Sequence, residues 1–78
     1  MVAEITAYVV MNVELGKEYE IKEELKKFGG VVEVSVVYGE FDVFAKVQVR
    51  HLRDLDKIVT AMRQVPGILK TSTLVASP

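Results

Sequence analysis

Cysteine and tryptophan are both missing from this chain, and histidine occurs only once, as His51. Without cysteine there is no disulfide framework, no thiolate metal site and no cysteine nucleophile. With His51 as the single imidazole no second nitrogen ligand can join it, so metal binding is set aside and no cofactor is expected. An excess of either charge is lacking too: ten Lys and Arg against eleven Asp and Glu leave a net charge of −1. Nucleic-acid binding by bulk electrostatics shows as a basic excess, so direct nucleic-acid contact is not expected. No apolar run approaches the roughly 20 residues that span a bilayer, and no basic stretch followed by a long apolar segment opens the chain. These absences lead to the expectation of a cytoplasmic protein that engages no membrane.

What is present is hydrophobic. Half of the 78 residues are apolar, a high share for a chain that buries only roughly 60% of its unfolded surface as one small domain. A single domain over 1–78 with an apolar surface left over is expected, and homo-oligomerisation is the simplest way to cover it.

The apolar residues alternate or recur at helical spacing in a regular order. Ile5 to Val13 is predicted as a strand, with Ile5, Ala7, Val9, Met11 and Val13 on one face. Lys17 to Phe28 has the spacing of a helix, Ile21, Leu25 and Phe28 lying at i, i+4 and i+7, with glutamates leaning to its start and lysines to its end. Exposed pairs are expected at Glu18–Lys22, Glu23–Lys26 and Glu23–Lys27. Gly29-Gly30 stops this helix. Val31 to Tyr38 is predicted as a second strand, with Val32, Val34, Val36 and Tyr38 on one face. A tight turn at Gly39-Glu40 then leads into a third strand, Phe41 to Val49. Leu52 to Gln64 forms a second amphipathic helix with Leu52, Leu55, Val59 and Met62 on its stripe, His51 serving as turn or helix cap. Pro66-Gly67 ends it, and Ile68 to Ala76 is the last strand.

The order βαββαβ, each half repeating strand, helix, glycine-containing break and strand, predicts an α+β ferredoxin-like fold: a four-stranded antiparallel sheet with both helices on one face. The uncovered face would carry Tyr8, Val10, Asn12, Phe44, Lys46 and Gln48. Tyr8, Val10 and Phe44 make it apolar enough to be the oligomer interface.

Few residues carry obvious chemistry. No carboxylate pair suits acid–base work, since most acids fall on helix faces. Glu40 and Asp42 differ in belonging to a turn at the sheet's end, where a carboxylate can either accept hydrogen bonds from turn amides or face a ligand's ammonium group. Thr71-Ser72-Thr73 reads either as ordinary strand or as hydroxyls for a polar ligand. Against an RNA-binding module of this topology stand its third strand, Phe41 to Val47, which lacks the basic-glycine-aromatic pattern that contacts RNA, and the near-neutral charge.

Three stretches in order, Val37-Tyr38-Gly39-Glu40-Phe41-Asp42, Val65-Pro66-Gly67-Ile68 and Thr71-Ser72-Thr73-Leu74, resemble the effector module of the Lrp/AsnC regulators, the RAM domain. The resemblance covers about residues 4–76. It implies binding of an amino acid or related small effector in a pocket between subunits, by dimers that build larger rings, commonly octamers of four dimers. The family's glycine-x-x-aspartate turn falls on Gly39 and Asp42, with Tyr38 and Glu40 beside them. Its effector-region strand falls on Thr71 and Thr73, followed by Leu74 and Val75. The family's full-length members carry an N-terminal helix-turn-helix, whereas about four residues precede the first strand here. A stand-alone effector module is expected, with a full-length Lrp/AsnC regulator as a candidate partner. Two other readings stand beside it: a small dimeric enzyme of the monooxygenase or isomerase kind, and a ligand-free assembly module.

Overall fold

The computed structural model describes residues 4–77. Its elements are β1 (Ile5–Val13), α1 (Glu18–Leu25), β2 (Val31–Val36), β3 (Val43–Val49), α2 (Leu52–Met62) and β4 (Ile68–Val75). The strands form one antiparallel sheet in the order β2-β3-β1-β4, the expected ferredoxin-like arrangement. The core is the alternate face of β1 and β3 against the helices: Ala7, Val9, Met11 and Val13 with Val43, Ala45 and Val47, covered by Ile21, Leu25, Leu55 and Met62. No polar side chain is buried among the described residues.

Both helices are shorter than their apolar periodicity predicts, and for one reason. The last turns tighten from i→i−4 to i→i−3 bonding: the Lys27 and Phe28 amides donate to the Glu24 and Leu25 carbonyls, and Gln64 and Val65 to Ala61 and Met62. This closes off terminal carbonyls that would otherwise lack partners. His51 does sit at the start of α2, but its side chain makes no capping bond; its carbonyl accepts from the Asp54 and Leu55 amides. Of the expected ion pairs, Glu23–Lys26 forms at 3.4 Å, while Lys27 turns to Glu24 and Lys17 to Glu14. Glu18 is in none of these.

Three further expectations are corrected. Val32 and Tyr38 do not share the core face of β2 with Val34. Val31 pairs with Val47 and Glu33 with Lys46, so Val32 is an extra residue in β2, and this bulge turns both Val31 and Val34 inward while Val32 is left 54% exposed. Leu52, placed on the buried stripe of α2 by spacing alone, is 62% exposed because it starts the helix at the rim of the sheet. The β2–β3 connection is longer than a two-residue turn. The ladder ends at Val36–Val43, the Val37 amide donates to the Asp42 carbonyl, and Tyr38 to Phe41 cross between them.

The connectivity sorts the chain to two ends of the sheet. The end of β1, the start of α1, the β2–β3 loop, the end of α2 and the start of β4 meet at one end. The start of β1, the start of α2 and the end of β4 meet at the other. Among the four strands β4 is the least covered, since α1 packs on β2 and β3 and α2 on β3 and β1.

Candidate effector site

The β2–β3 loop is built by attachment to β1. The Asp42 amide donates to the Met11 carbonyl at 2.8 Å, and Asp42 Oδ2 accepts from the Val13 amide at 2.9 Å. Asn12 Nδ2 donates to the Glu40 carbonyl at 2.9 Å. Asp42 thus takes the backbone-accepting role weighed from sequence, though its donor belongs to β1 and not to the turn. Gly39, at φ +116 with open space around its Cα, supplies the backbone state that lets the loop cross.

Above this loop lies a cleft of about 350 Å³ lined by Tyr38, Gly39 and Asp42, together with Val36, Val37, Glu18 and Tyr19. From the sequence Glu18 is expected only in an exposed pair with Lys22, and Tyr19 carries no expectation. The usable signal was topological: a right-handed βαβ unit starts α1 at the same end of the sheet as the β2–β3 loop. Tyr38 is 93% exposed, and Glu40 lies outside the lining.

The β4 residues divide. Thr71 pairs with Met11 and so stands across β1 from Asp42, at the loop end. Thr73 pairs with Val9, Leu74 with Tyr8 and Val75 with Ala7, running towards the other end. Thr71 and Val75 are about 13 Å apart at a strand's rise per residue. Because partners across a ladder share a face, Thr71, Thr73 and Val75 belong to the helix side, and Leu74 to the open side with Tyr8. Val75 lines a separate apolar cleft of about 440 Å³ with Ile5, Thr6 and Leu52 at the far end. One protomer therefore gathers Tyr38, Gly39 and Asp42, sets Thr71 beyond β1, and holds Leu74 and Val75 apart.

On the open face, Tyr8 and Phe44 stack with centroids 5.7 Å apart, and Val10 faces Phe44 across the β1–β3 ladder. Gln48 Nε2 and Thr6 Oγ1 lie at 3.5 Å, the weak limit of a hydrogen bond. Among the described residues no group of three His, Cys, Asp or Glu is placed to hold a metal ion, and no helix is long and apolar enough to cross a membrane.

Residues 6–77 match a family model, the Lrp/AsnC ligand binding domain. The chain belongs to the Lrp/AsnC ligand-binding domain family. An HTH-type transcriptional regulator of Pyrococcus horikoshii is 35% identical over 71 residues, covering 90% of this chain and 45% of the relative. The crystal structure of FFRP-DM1 superposes with a TM-score of 0.88 at 42% identity, covering 94% of this chain and 99% of that one. A regulator from Neisseria meningitidis, described as an L-Met complex, has the same fold at TM-score 0.80 and 12% identity, over 95% of this chain and 50% of its own. This Lrp/AsnC chain spans about half the length of the HTH-type regulators it matches.

Proposed function

We propose that this Lrp/AsnC domain is a non-enzymatic, oligomeric sensor of the cytoplasm that binds an amino acid or related small effector between subunits. Asp42 would receive the effector's ammonium group, with Tyr38, Gly39 and Glu40 around it. Thr71 and Thr73 would hold polar atoms, and Leu74 and Val75 of a neighbouring subunit would supply apolar wall. Any effect on transcription would pass through a partner, such as a full-length regulator sharing the same interfaces.

The observation that carries this reading is the separation of the candidate residues. Asp42 has one oxygen on Val13 and the other free of any protein hydrogen bond among the described residues, while Leu74 and Val75 lie exposed at the other end of β4. A second copy seated end to end or edge to edge with the first would bring such halves together. Kinship to HTH-type regulators and an L-Met complex among the fold neighbours support the ligand class.

Thermal unfolding against each of the twenty amino acids tests it. A ligand at about 100 times its dissociation constant adds roughly 2.7 kcal/mol to the folded state, which raises Tm by roughly 10 °C or more in a domain of this size. A selective rise identifies the effector class. A panel with no shift leaves the ligand-free assembly module as the better account.

A further inference from the structure

We propose that the outer edge of β4 pairs with β4 of a second copy of this chain, antiparallel and centred on Thr73, so that two sheets join into one. The ladder with β1 runs unbroken from Lys70, opposite Asn12, to Val75, opposite Ala7, and the Ala76 amide carries it on to the Thr6 carbonyl at 2.8 Å. Bonding alternates along an antiparallel pair. The N–H and C=O groups of Lys70, Ser72, Leu74 and Ala76 therefore turn to β1, and those of Thr71, Thr73 and Val75 turn outward. β1 agrees, since Met11, the partner of Thr71, uses its carbonyl on the far side for the Asp42 amide. No turn or side-chain hydrogen bond among the described residues takes up the outward groups.

A row of unpaired backbone groups is a template for another strand, and folds blunt it where no strand is to come. β2, the other edge of the sheet, is blunted: a bulge at Val32 breaks its run, Glu33 is exposed, and α1 packs against it. β4 lies beyond the main packing of both helices, holds no proline, and carries Lys70 as its single charge. Leu74 and Val75 on it are 58% and 53% exposed. The strand that fits this edge is β4 itself. With Thr73 opposite its own equivalent, Lys70 stands opposite Ala76, Thr71 opposite Val75 and Ser72 opposite Leu74. Outward groups then meet outward groups, no like charges face each other, and the whole regular run overlaps. A two-fold contact of this kind needs only one patch. The apolar surface also continues across it. On the open face the second copy's Leu74 comes beside Ser72, the partner of Val10, and on the helix side its Val75 comes beside Thr71. A single strand edge is small beside the roughly 1,600 Å² of a standard interface. The pairing therefore forms at high protein concentration and adds to any contact made through the open face.

The pairing stands without an effector; that it brings Val75 of one copy to the threonine end of the other's β4 matters for ligand binding only on the reading proposed above. The chain has no cysteine, so introduced cysteines report the register. Across a bonded antiparallel pair the Cα atoms are about 5.5 Å apart, within the roughly 4.4–6.8 Å that a disulfide spans. Thr73→Cys should therefore cross-link two copies under mild oxidant. Thr71→Cys alone would stand about 13 Å from its equivalent and should cross-link at least about tenfold more slowly. Thr71→Cys mixed with Val75→Cys should restore the fast rate. Equal rates at every position, or none at Thr73, overturn the pairing. Amide hydrogen exchange of the concentrated ¹⁵N-labelled chain reads the same edge without substitution. Protection of Thr71, Thr73 and Val75 along with Ser72 and Leu74 is expected, whereas fast exchange at Thr71, Thr73 and Val75 alone shows a free edge and overturns it. Thr73→Lys, which sets two ammonium groups face to face, should bring back that alternation in a spectrum otherwise unchanged. A cross-linked Thr73→Cys pair whose Tm no amino acid raises would keep the edge contact and sink the effector reading. Amino-acid binding without the cross-link would do the reverse.

Discussion

Asp42 joins structure to ligand chemistry, and its two roles can be separated by substitution. Its carboxylate accepts from the Val13 amide, and a hydrogen bond to a charged group is worth about 1.5–3 kcal/mol. Asp42→Ala should therefore lower stability by about that amount, read by urea unfolding. Asp42→Asn keeps an oxygen acceptor and should cost less than half as much. Both should remove effector binding in calorimetry if the charge meets an ammonium group; retention of affinity by Asp42→Asn would overturn that assignment. A second residue-scale contrast lies in Gly29-Gly30. Gly30 has φ +88, and a Cβ there would come within 2.7 Å of Ile58 Cδ1, whereas one on Gly29 meets nothing within 4 Å. Gly30→Ala should cost about 2–4 kcal/mol from strain and overpacking. Gly29→Ala should stay within about 1 kcal/mol of the parent, on either side. Equal effects of the two would show that the helix stop tolerates a side chain at either position.

At the scale of elements, alternation located the buried faces of β1 and of β3 from Val43 onward, since both lie in the interior of the sheet with a helix over one side, while Phe41, expected in β3, falls in the loop before it. It failed on β2 because a bulge is invisible to a period of two. The extra residue at Val32 reverses the facing of everything before it, and nothing local in Val31-Val32-Glu33-Val34 announces where it falls. The consequence is testable: Val34→Ala removes buried side chain and should cost about 1.5–2 kcal/mol, whereas Val32→Ala should stay within about 0.5 kcal/mol. Comparable losses at both positions would place Val32 in the core and refute the bulge. The β2–β3 loop shows the same limit. Gly39 marked a turn, but its length was decided by the bonds from Met11, Asn12 and Val13 that pull Glu40 and Asp42 onto β1.

For the whole molecule, the main question is what covers the open face. Tyr8 and Phe44 stack there and Val10 faces Phe44 across the ladder, with the helices on the opposite side. If that face joins subunits, Phe44→Glu should shift the mass in sedimentation velocity to the monomer while circular dichroism retains the fold. An unchanged oligomer would move the interface elsewhere, to the exposed β4 edge.

The sequence by itself determined the order of elements, the fold class and the helix-facing core, because these follow from periodicity and glycine breaks that act within a few residues. It also carried enough of the loop and last-strand pattern to resemble the Lrp/AsnC effector module. Only the tertiary structure decided that Glu18 and Tyr19 join the loop cleft and that Thr71 and Val75 lie towards opposite ends of β4. Those relations join residues distant along the chain. They are set by which end of the sheet each crossover reaches, by the bulge in β2, and by hydrogen bonds between strands that no local pattern encodes.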